Sequence, residues 1–521
     1  MILCSRERDK YMVKVVVTFA LNGINGIPVF VEASHNGSSA EPHTNLIGLP
    51  DAAVKEALGR IGAAAKSAGL SLYGGSNTVN LAPADVRKEG SSFDLPILLS
   101  LIDATRHSLP ELTGKCFAGE LSLTGELRGI NGALSMALAA KRYGFKEIYL
   151  PEMNAAEASA AEGIDVIPVR SVSQLYSHLC GSITIERKRF DPNEYAMFAL
   201  SNAADFADVK GQDYAKKALE IAAAGAHNVL MIGPPGSGKS MLASRIPSVL
   251  PPLSVKEAIE TTQIHSISGI LPEYAHLVSK RPFRSPHHSI SMAGLAGGGK
   301  TPKPGELSLA HNGVLFLDEL PEFDRSAMEV LRQPLEDHRI NITRVSGSVT
   351  YPCSFMLVCA MNPCKCGYFG HPTHPCTCSE QSRKNYVAKI SGPLLDRIDI
   401  QLEIPPLEFD ELSQTAPSES SDAIRERVIA ARQFAIDRFG DTTMANGYMR
   451  SAELRKYCTL DDAGTALMKK AFDKLSLSAR SYDRILRVAR TAADFDRSED
   501  IKARHLALAL QLRSLDQKYF T

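Results

Sequence analysis

Gly233, Pro234, Pro235, Gly236, Ser237, Gly238, Lys239 and Ser240 follow directly on the apolar run Val229-Leu-Met-Ile232, and no other feature constrains this chain as much. The stretch has the form G-x-x-x-x-G-K-[ST], which joins a buried strand to a helix through a glycine-rich loop. Glycines let backbone N–H groups converge on one anion. A helix that begins near Lys239 adds the positive end of its dipole at the same place. Lys239 is then placed to reach the outer phosphates of a nucleoside triphosphate, and the Ser240 hydroxyl to ligate Mg²⁺. Alone, the pattern is also compatible with an ordinary glycine-rich turn.

Further parts follow in order. Val314-Leu-Phe-Leu317 is an apolar strand that ends in Asp318 and Glu319. Buried parallel strands read as such runs, and ligands sit at their C-terminal ends. Asp318 is expected to hold Mg²⁺ and Glu319 to polarise an attacking water. A third strand, Phe355–Ala360, runs into Asn362, a polar group for the γ-phosphate or the water. Arg397 precedes a strand-like stretch from Ile398 to Ile404.

These parts resemble the Walker A, Walker B, sensor 1 and arginine-finger elements of an AAA+ ATPase. Three longer stretches carry the resemblance further: Arg281-Pro-Phe-Arg-Ser-Pro-His-His288, Lys303 to Phe323, and Ser391-Gly-Pro-Leu-Leu-Asp-Arg397. They are similar to the magnesium-chelatase-like branch, and within it to the YifB/ComM family, over nearly the whole chain. The resemblance implies an α/β fold in three parts. These are an N-terminal Lon-protease-like (ribosomal S5 domain 2-like) α+β domain over 12–181, a central AAA+ P-loop α/β domain over 206–406, and a C-terminal helical lid over 407–521. Residues 182–205 would link the first two.

Length and composition agree with several ordinary globular domains: 521 residues, 44% hydrophobic and 22% charged. Formal net charge is zero. Any nucleic-acid contact must therefore come from a local patch or an assembled channel. No apolar run approaches the roughly 20 residues of a membrane helix. The run Val15–Leu21 continues into strand-like Ile27–Glu32, so a first β-strand is expected there, with residues before Met12 as an extension. The scattered cysteines point to a reducing cytoplasm.

Within the first domain, Ala52–Gly69 has helical spacing, Asn77–Ala82 reads as a strand, and Phe93–Ile102 as a buried helix. Gly119–Arg128 reads as a hairpin, Ala133–Tyr143 as a helix and Glu147–Leu150 as a strand. The resemblance to a Lon-type fold raises a Ser–Lys protease dyad. Ser92 falls near the nucleophile position, but Leu134 stands where the lysine should be. A serine without a base is a poor nucleophile, so a non-proteolytic module is expected, with Ser92 as a turn or capping residue.

Cys364, Cys366, Cys376 and Cys378 form two C-x-C pairs around a loop. Four thiolates suit a structural Zn²⁺; redox-sensitive thiols and cysteines packed as small hydrophobes are the alternatives. The segment Ile264–Gly305 looks like an insertion, carrying Lys280, Arg281, Arg284, His287, His288, Lys300, Lys303 and a flexible run, Gly297–Gly299. Ile340–Val345 and Ser348–Tyr351 flank a turn and read as a hairpin. In the family such inserts project into a ring channel, which makes Arg344, Lys280, Arg281 and Arg284 DNA-contact expectations. Solvated surface charges or subunit contacts are the alternative.

The C-terminal part reads as helices over Ala423–Phe439, Asp461–Leu475, Ser478–Asp494 and Lys502–Gln511, after a polar stretch from Gln414 to Asp422. Ser478–Arg487 resembles the sensor 2 helix, which makes Arg480 the γ-phosphate sensor. The resemblance implies a hexameric ATPase using ATP and Mg²⁺ and acting on branched or single-stranded DNA, as a ComM-like helicase promoting branch migration in transformation. A metal-insertion ATPase and an ATP-dependent protease or unfoldase are the other classes.

Overall fold

The computed structural model describes residues 15–37, 43–70, 72, 75–106, 109–193, 195, 204–299, 302–344, 347–406, 418–475 and 477–520. The extension before Met12, the hairpin turn at 345–346, Lys300, part of the expected linker and residues 407–417, which include the first four of the polar stretch, lie outside them. The chain forms two compact units. One comprises the chain up to Ala196 together with Val255–Val278; the other comprises Met197–Ser254 and Ser279–Thr521.

The first unit is built on β1 (Val15–Asn22), β2 (Asn25–Asn36), β3 (His43–Ile47), β4 (Ser76–Ala82), β5 (Lys115–Phe117), β8 (Glu147–Pro151) and β9 (Asp165–Val169). Their order in the sheet is β3-β4-β2-β1-β5-β8-β9. β1 and β2 form an antiparallel hairpin that Gly23, at φ 60, allows to close in two residues. From β1 onward through β5, β8 and β9 the pairs are parallel. A short antiparallel pair, β6 (Glu120–Leu121) and β7 (Leu127–Arg128), matches the expected hairpin.

The helix Ala52–Ser67 starts on Asp51, whose carboxylate accepts the Val54 N–H at 2.8 Å. The helix Asp94–Arg106 is almost wholly buried, and Arg60 clasps Asp94 at its start at 2.8 and 3.0 Å. Ser92 sits in the short turn Ser91–Phe93 that leads into this helix, with no side-chain cap there. Leu134 is fully buried in the helix Ala133–Arg142.

A segment from the middle of the sequence joins this unit. The helix Val255–Ser268 buries Thr262, Gln263, Ile264 and Ser266. Gln263 donates to Ser135 Oγ at 3.0 Å, and the Gly132 N–H donates to Ser266 Oγ at 2.9 Å. Gly132 has a left-handed φ of 80, and a side chain there would strike Leu21. The stretch 206–406, read from sequence as one block, is thus interrupted by a piece that packs with the first unit.

The second unit holds a five-stranded sheet of β10 (Val229–Ile232), β11 (Phe283–Arg284), β14 (Val314–Leu317), β17 (Met356–Met361) and β18 (Ile400–Glu403). The order is β11-β14-β17-β10-β18, and every pair is parallel. β10, β14 and β17 are buried along their whole length, as continuous apolar runs demand. Two small antiparallel ribbons flank the sheet: β12 (Gly297–Gly298) with β13 (Lys303–Pro304), and β15 (Arg339–Arg344) with β16 (Gly347–Pro352). The glycine run expected to be flexible is instead close-packed at its start, since a side chain on Gly297 would strike the Lys303 carbonyl.

Helices Ser421–Phe439, Asp462–Leu475, Ala479–Phe495 and Ala503–Gln511 complete this unit within two residues of the expected bounds. Arg438 clasps buried Asp494 at 2.6 and 2.7 Å. Asp399, just before β18, is another buried anion. Burial opposes its charge, but Arg484 at 2.6 Å, His227 and Arg487 outweigh that and hold its carboxyl well below the usual range. A depressed folded pKa stabilises above the ordinary carboxylate value of about 3.9 and is lost as pH falls below it. Asp399→Asn is therefore expected to cost about 3–5 kcal/mol at neutral pH and to flatten the acid side of stability, both readable from urea midpoints across pH. Among the described residues, no helix is long and apolar enough to cross a membrane.

Candidate active site at the phosphate loop

The loop Gly233–Ser240 leaves the C-terminal end of β10 and enters the helix Lys239–Val249. Gly236 and Gly238 adopt left-handed φ values of 77 and 86, which turn the backbone around an open cradle. Gly233 is needed for a different reason: a side chain there would strike the Ile404 carbonyl at the end of the neighbouring strand β18. Lys239 donates to the Gly233 and Pro234 carbonyls, each at 2.8 Å, and is nearly buried. Burial lowers its pKa even though Asp318 and Glu319 pull the other way. A desolvated cation held on weak carbonyl partners is matched to a stronger anion.

β17 lies beside β10 and β14 beside β17, all in the same direction, so their C-terminal ends deliver Asp318, Glu319 and Asn362 to the cradle. Ser240 donates to Asp318 Oδ2 at 2.7 Å. Hydroxyl and carboxylate thus share one locus of hard oxygen ligands, the donor set that Mg²⁺ takes when phosphate and water fill its remaining positions. Glu319 has a left-handed φ of 53, and its N–H donates to Asp318 Oδ1 at 2.9 Å. Asn362 Oδ1 is 3.4 Å from Lys239 Nζ. The residues present fit a Mg²⁺–triphosphate.

Arg397 and Arg480 are elsewhere. The Asn228 side-chain amide donates to the Arg397 carbonyl at 2.9 Å, which ties Arg397 to the N-terminal end of β10. At about 3.3 Å per residue, the steps from Asn228 to Gly233 put the two ends roughly 16 Å apart. The Arg397 guanidinium pairs with Glu336 and donates to the Pro393 carbonyl at 2.6 Å. Arg480 is exposed and meets Asp396 at 3.3 Å. Both line one cleft of about 620 Å³, with Arg484, Arg487 and Arg450.

The expected DNA residues divide. Arg281 donates to the Pro251 and Asn312 carbonyls at 2.5 and 2.7 Å, and Arg284 is bidentate on Glu306 at 2.6 and 2.7 Å. Both guanidiniums are committed within the fold. Lys280 is exposed, and Arg344 is exposed at the end of β15.

The loop after Asn362 gathers the four cysteines. Their sulfurs all lie within 4.8 Å of one another, and all four are free. Burial pushes the Cys364 thiol up; for Cys366 burial is outweighed by the N–H groups of Tyr368 and Thr377, and its pKa falls.

Family models agree with this architecture along the chain. Residues 205–412 match magnesium chelatase, subunit ChlI; residues 31–154 match the subunit ChlI of Mg-chelatase; residues 418–513 match the ChlI C-terminal part. The uncharacterized protein YifB of Escherichia coli (strain K12) is 41% identical over 96% of this chain and 97% of its own. The competence protein ComM of Haemophilus influenzae is 41% identical over the same shares. The chain belongs to the YifB/ComM family of magnesium-chelatase-like AAA+ proteins. Beyond the family proper, a stretch covering 17% of the chain is 33% identical to an archaeal Lon protease of Methanocaldococcus jannaschii, of which it spans 13%.

Two neighbours of the site in this YifB/ComM chain are not assigned to it from sequence: His288, placed only in the insertion, and Tyr386. His288 Nδ1 lies 3.2 Å from Glu319 Oε2, and Tyr386 accepts the Asn362 N–H. Neither stands at a fixed spacing from the residue it touches. Only the strand order, with β11 beside β14, brings the His288 segment to Glu319.

Proposed function

We propose that this chain is an ATP-driven AAA+ motor, hexameric, cytoplasmic and acting on DNA as a ComM-like helicase that promotes branch migration in homologous recombination. The observation that carries the reading is the split of charged groups between opposite ends of one parallel sheet. Lys239, Ser240, Asp318, Glu319 and Asn362 gather at one end and Arg397 at the other. An arginine some 16 Å from its own phosphate loop is useful to a neighbour's, and a ring supplies that neighbour. In this reading Glu319 orients the water, Lys239 receives the outer phosphates, and Arg397 with Arg480 meets them from the next subunit. Ser240 and Asp318 would hold Mg²⁺, which would supply positive charge against the phosphates. The four thiolates add a structural Zn²⁺ to the cofactor set.

DNA as substrate is supported by the β15–β16 ribbon, whose Arg344 is exposed, and by the competence name of the H. influenzae relative. In a ring, that ribbon repeats, giving a basic lining in a chain of zero net charge. The test is ATP hydrolysis and strand exchange with forked or four-way DNA. Branched DNA is expected to raise hydrolysis several-fold, and Arg344→Ala to weaken DNA binding by about tenfold, or 1.4 kcal/mol. Hydrolysis and remodelling both indifferent to branched DNA would defeat the reading. The chelatase names of the family models favour metal insertion as the second reading; it predicts that same indifference. A protease is disfavoured by Leu134, an apolar side chain fully buried where a base is required.

A further inference from the structure

We propose that Cys364, Cys366, Cys376 and Cys378 hold one Zn²⁺ and that the loop it closes is a wall of the nucleotide site, so that metal occupancy sets nucleotide affinity. The second half rests on the nucleotide reading of Gly233–Ser240.

The sulfur geometry comes first. Cys364–Cys366, Cys364–Cys376 and Cys366–Cys376 are 3.3, 3.6 and 3.6 Å apart. A tetrahedral Zn–S₄ centre with bonds of about 2.3 Å puts its sulfurs roughly 3.8 Å apart. Four soft thiolates with no water position make a closed site, which suits structural zinc rather than a catalytic ion. The chain around them needs such a link. Residues 362–379 contain no helix or strand, and a connection of that length inside a compact domain is uncommon unless something fastens it.

The fastened loop then touches the ATP machinery at two points. Gly367 has a left-handed φ of 88, and a Cβ on it would lie 2.7 Å from Pro235 Cδ, so its backbone rests on the phosphate loop. Asn362, two residues ahead of Cys364, faces Lys239 at 3.4 Å. On the far side, Arg383 donates to the Cys378 carbonyl at 3.0 Å and stacks on Phe369 at 4.5 Å. The cluster therefore stands between the helix Glu380–Val387 and the cradle, and it fixes the height at which Gly367 meets Pro235.

The experiment uses the full chain, purified without added metal. Elemental analysis is expected to give about one Zn per chain. Binding of a fluorescent ATP analogue is then titrated before and after organomercurial displacement of the metal. Stripping is expected to weaken the analogue's Kd about tenfold, with recovery on Zn²⁺ but not on Mg²⁺ after thiols are restored. Gly367→Ala keeps all four thiols. It is expected to retain zinc and still weaken binding about fivefold, because left-handed backbone and the Pro235 contact both resist a side chain; this variant decides the matter if the stripped chain unfolds. Less than about half a Zn per chain with four reactive thiols, or iron in its place, would overturn the metal assignment. Unchanged affinity in zinc-loaded Gly367→Ala, or in a folded stripped chain, would overturn the wall. Zinc-loaded protein that binds no nucleotide would sink the nucleotide reading and the wall with it, leaving the zinc assignment standing.

Discussion

Glu319→Gln is expected to lower ATP hydrolysis by about 10²–10⁴-fold while ATP binding stays near that of the parent chain. The side chain contributes a carboxylate at the end of β14 that meets His288 and not the phosphate loop: its backbone N–H, not its side chain, caps Asp318. The amide keeps the shape and loses the base. Lys239→Ala should separate cleanly from it. There the loop loses the donor to the Gly233 and Pro234 carbonyls as well as the charge for phosphate, so affinity falls along with turnover. Equilibrium binding of a slowly hydrolysed analogue beside steady-state hydrolysis distinguishes the two. Full activity in Glu319→Gln would remove it from the chemistry.

The second large effect concerns Arg397. Arg397→Ala is expected to lower hydrolysis by about 10³-fold or more without loss of nucleotide binding, because the guanidinium makes no contact with its own phosphate loop. A mixing experiment tests whether the site is shared between subunits. Lys239→Ala subunits are expected to be inactive yet to carry an intact arginine; Arg397→Ala subunits are expected to be inactive yet to carry an intact loop. Mixed, they form some interfaces with both parts, and a fraction of hydrolysis should return. No recovery from mixtures that do co-assemble would mean that Arg397 acts within its own subunit or not at all. Glu336 is a further control, since it holds Arg397 at rest: Glu336→Gln should leave the mixing result unchanged in sign.

Much of this architecture could be read from residues in order. Continuous apolar runs mark β10, β14 and β17 because a strand buried on both faces has no polar side to alternate with. The C-terminal helices came out within two residues of their bounds; Ser420, read as part of the polar stretch, and Ser478, read as the first helical residue, are the caps of two of them. What stayed hidden depends on order in space. The helix Val255–Ser268 has a weakly patterned face, and nothing local says that Gln263 will reach Ser135. His288 meets Glu319 only because β11 lies beside β14. The basic residues 281 and 284 look free in sequence, since their partners are carbonyls and a glutamate far along the chain. Spacing also could not say that Arg397 and Gly233 belong to opposite ends of one sheet.

One strand connects those ends. β18 begins three residues after Arg397 and ends at Glu403, one residue before Ile404, whose carbonyl leaves room for nothing larger than glycine at 233. Anything that pulls Arg397 away from Glu336 therefore acts on one end of a short stiff rod whose other end rests on the subunit's own phosphate loop. A displacement at Arg397 is thus carried to the phosphate loop through the four strand residues Ile400–Glu403, with no hinge between.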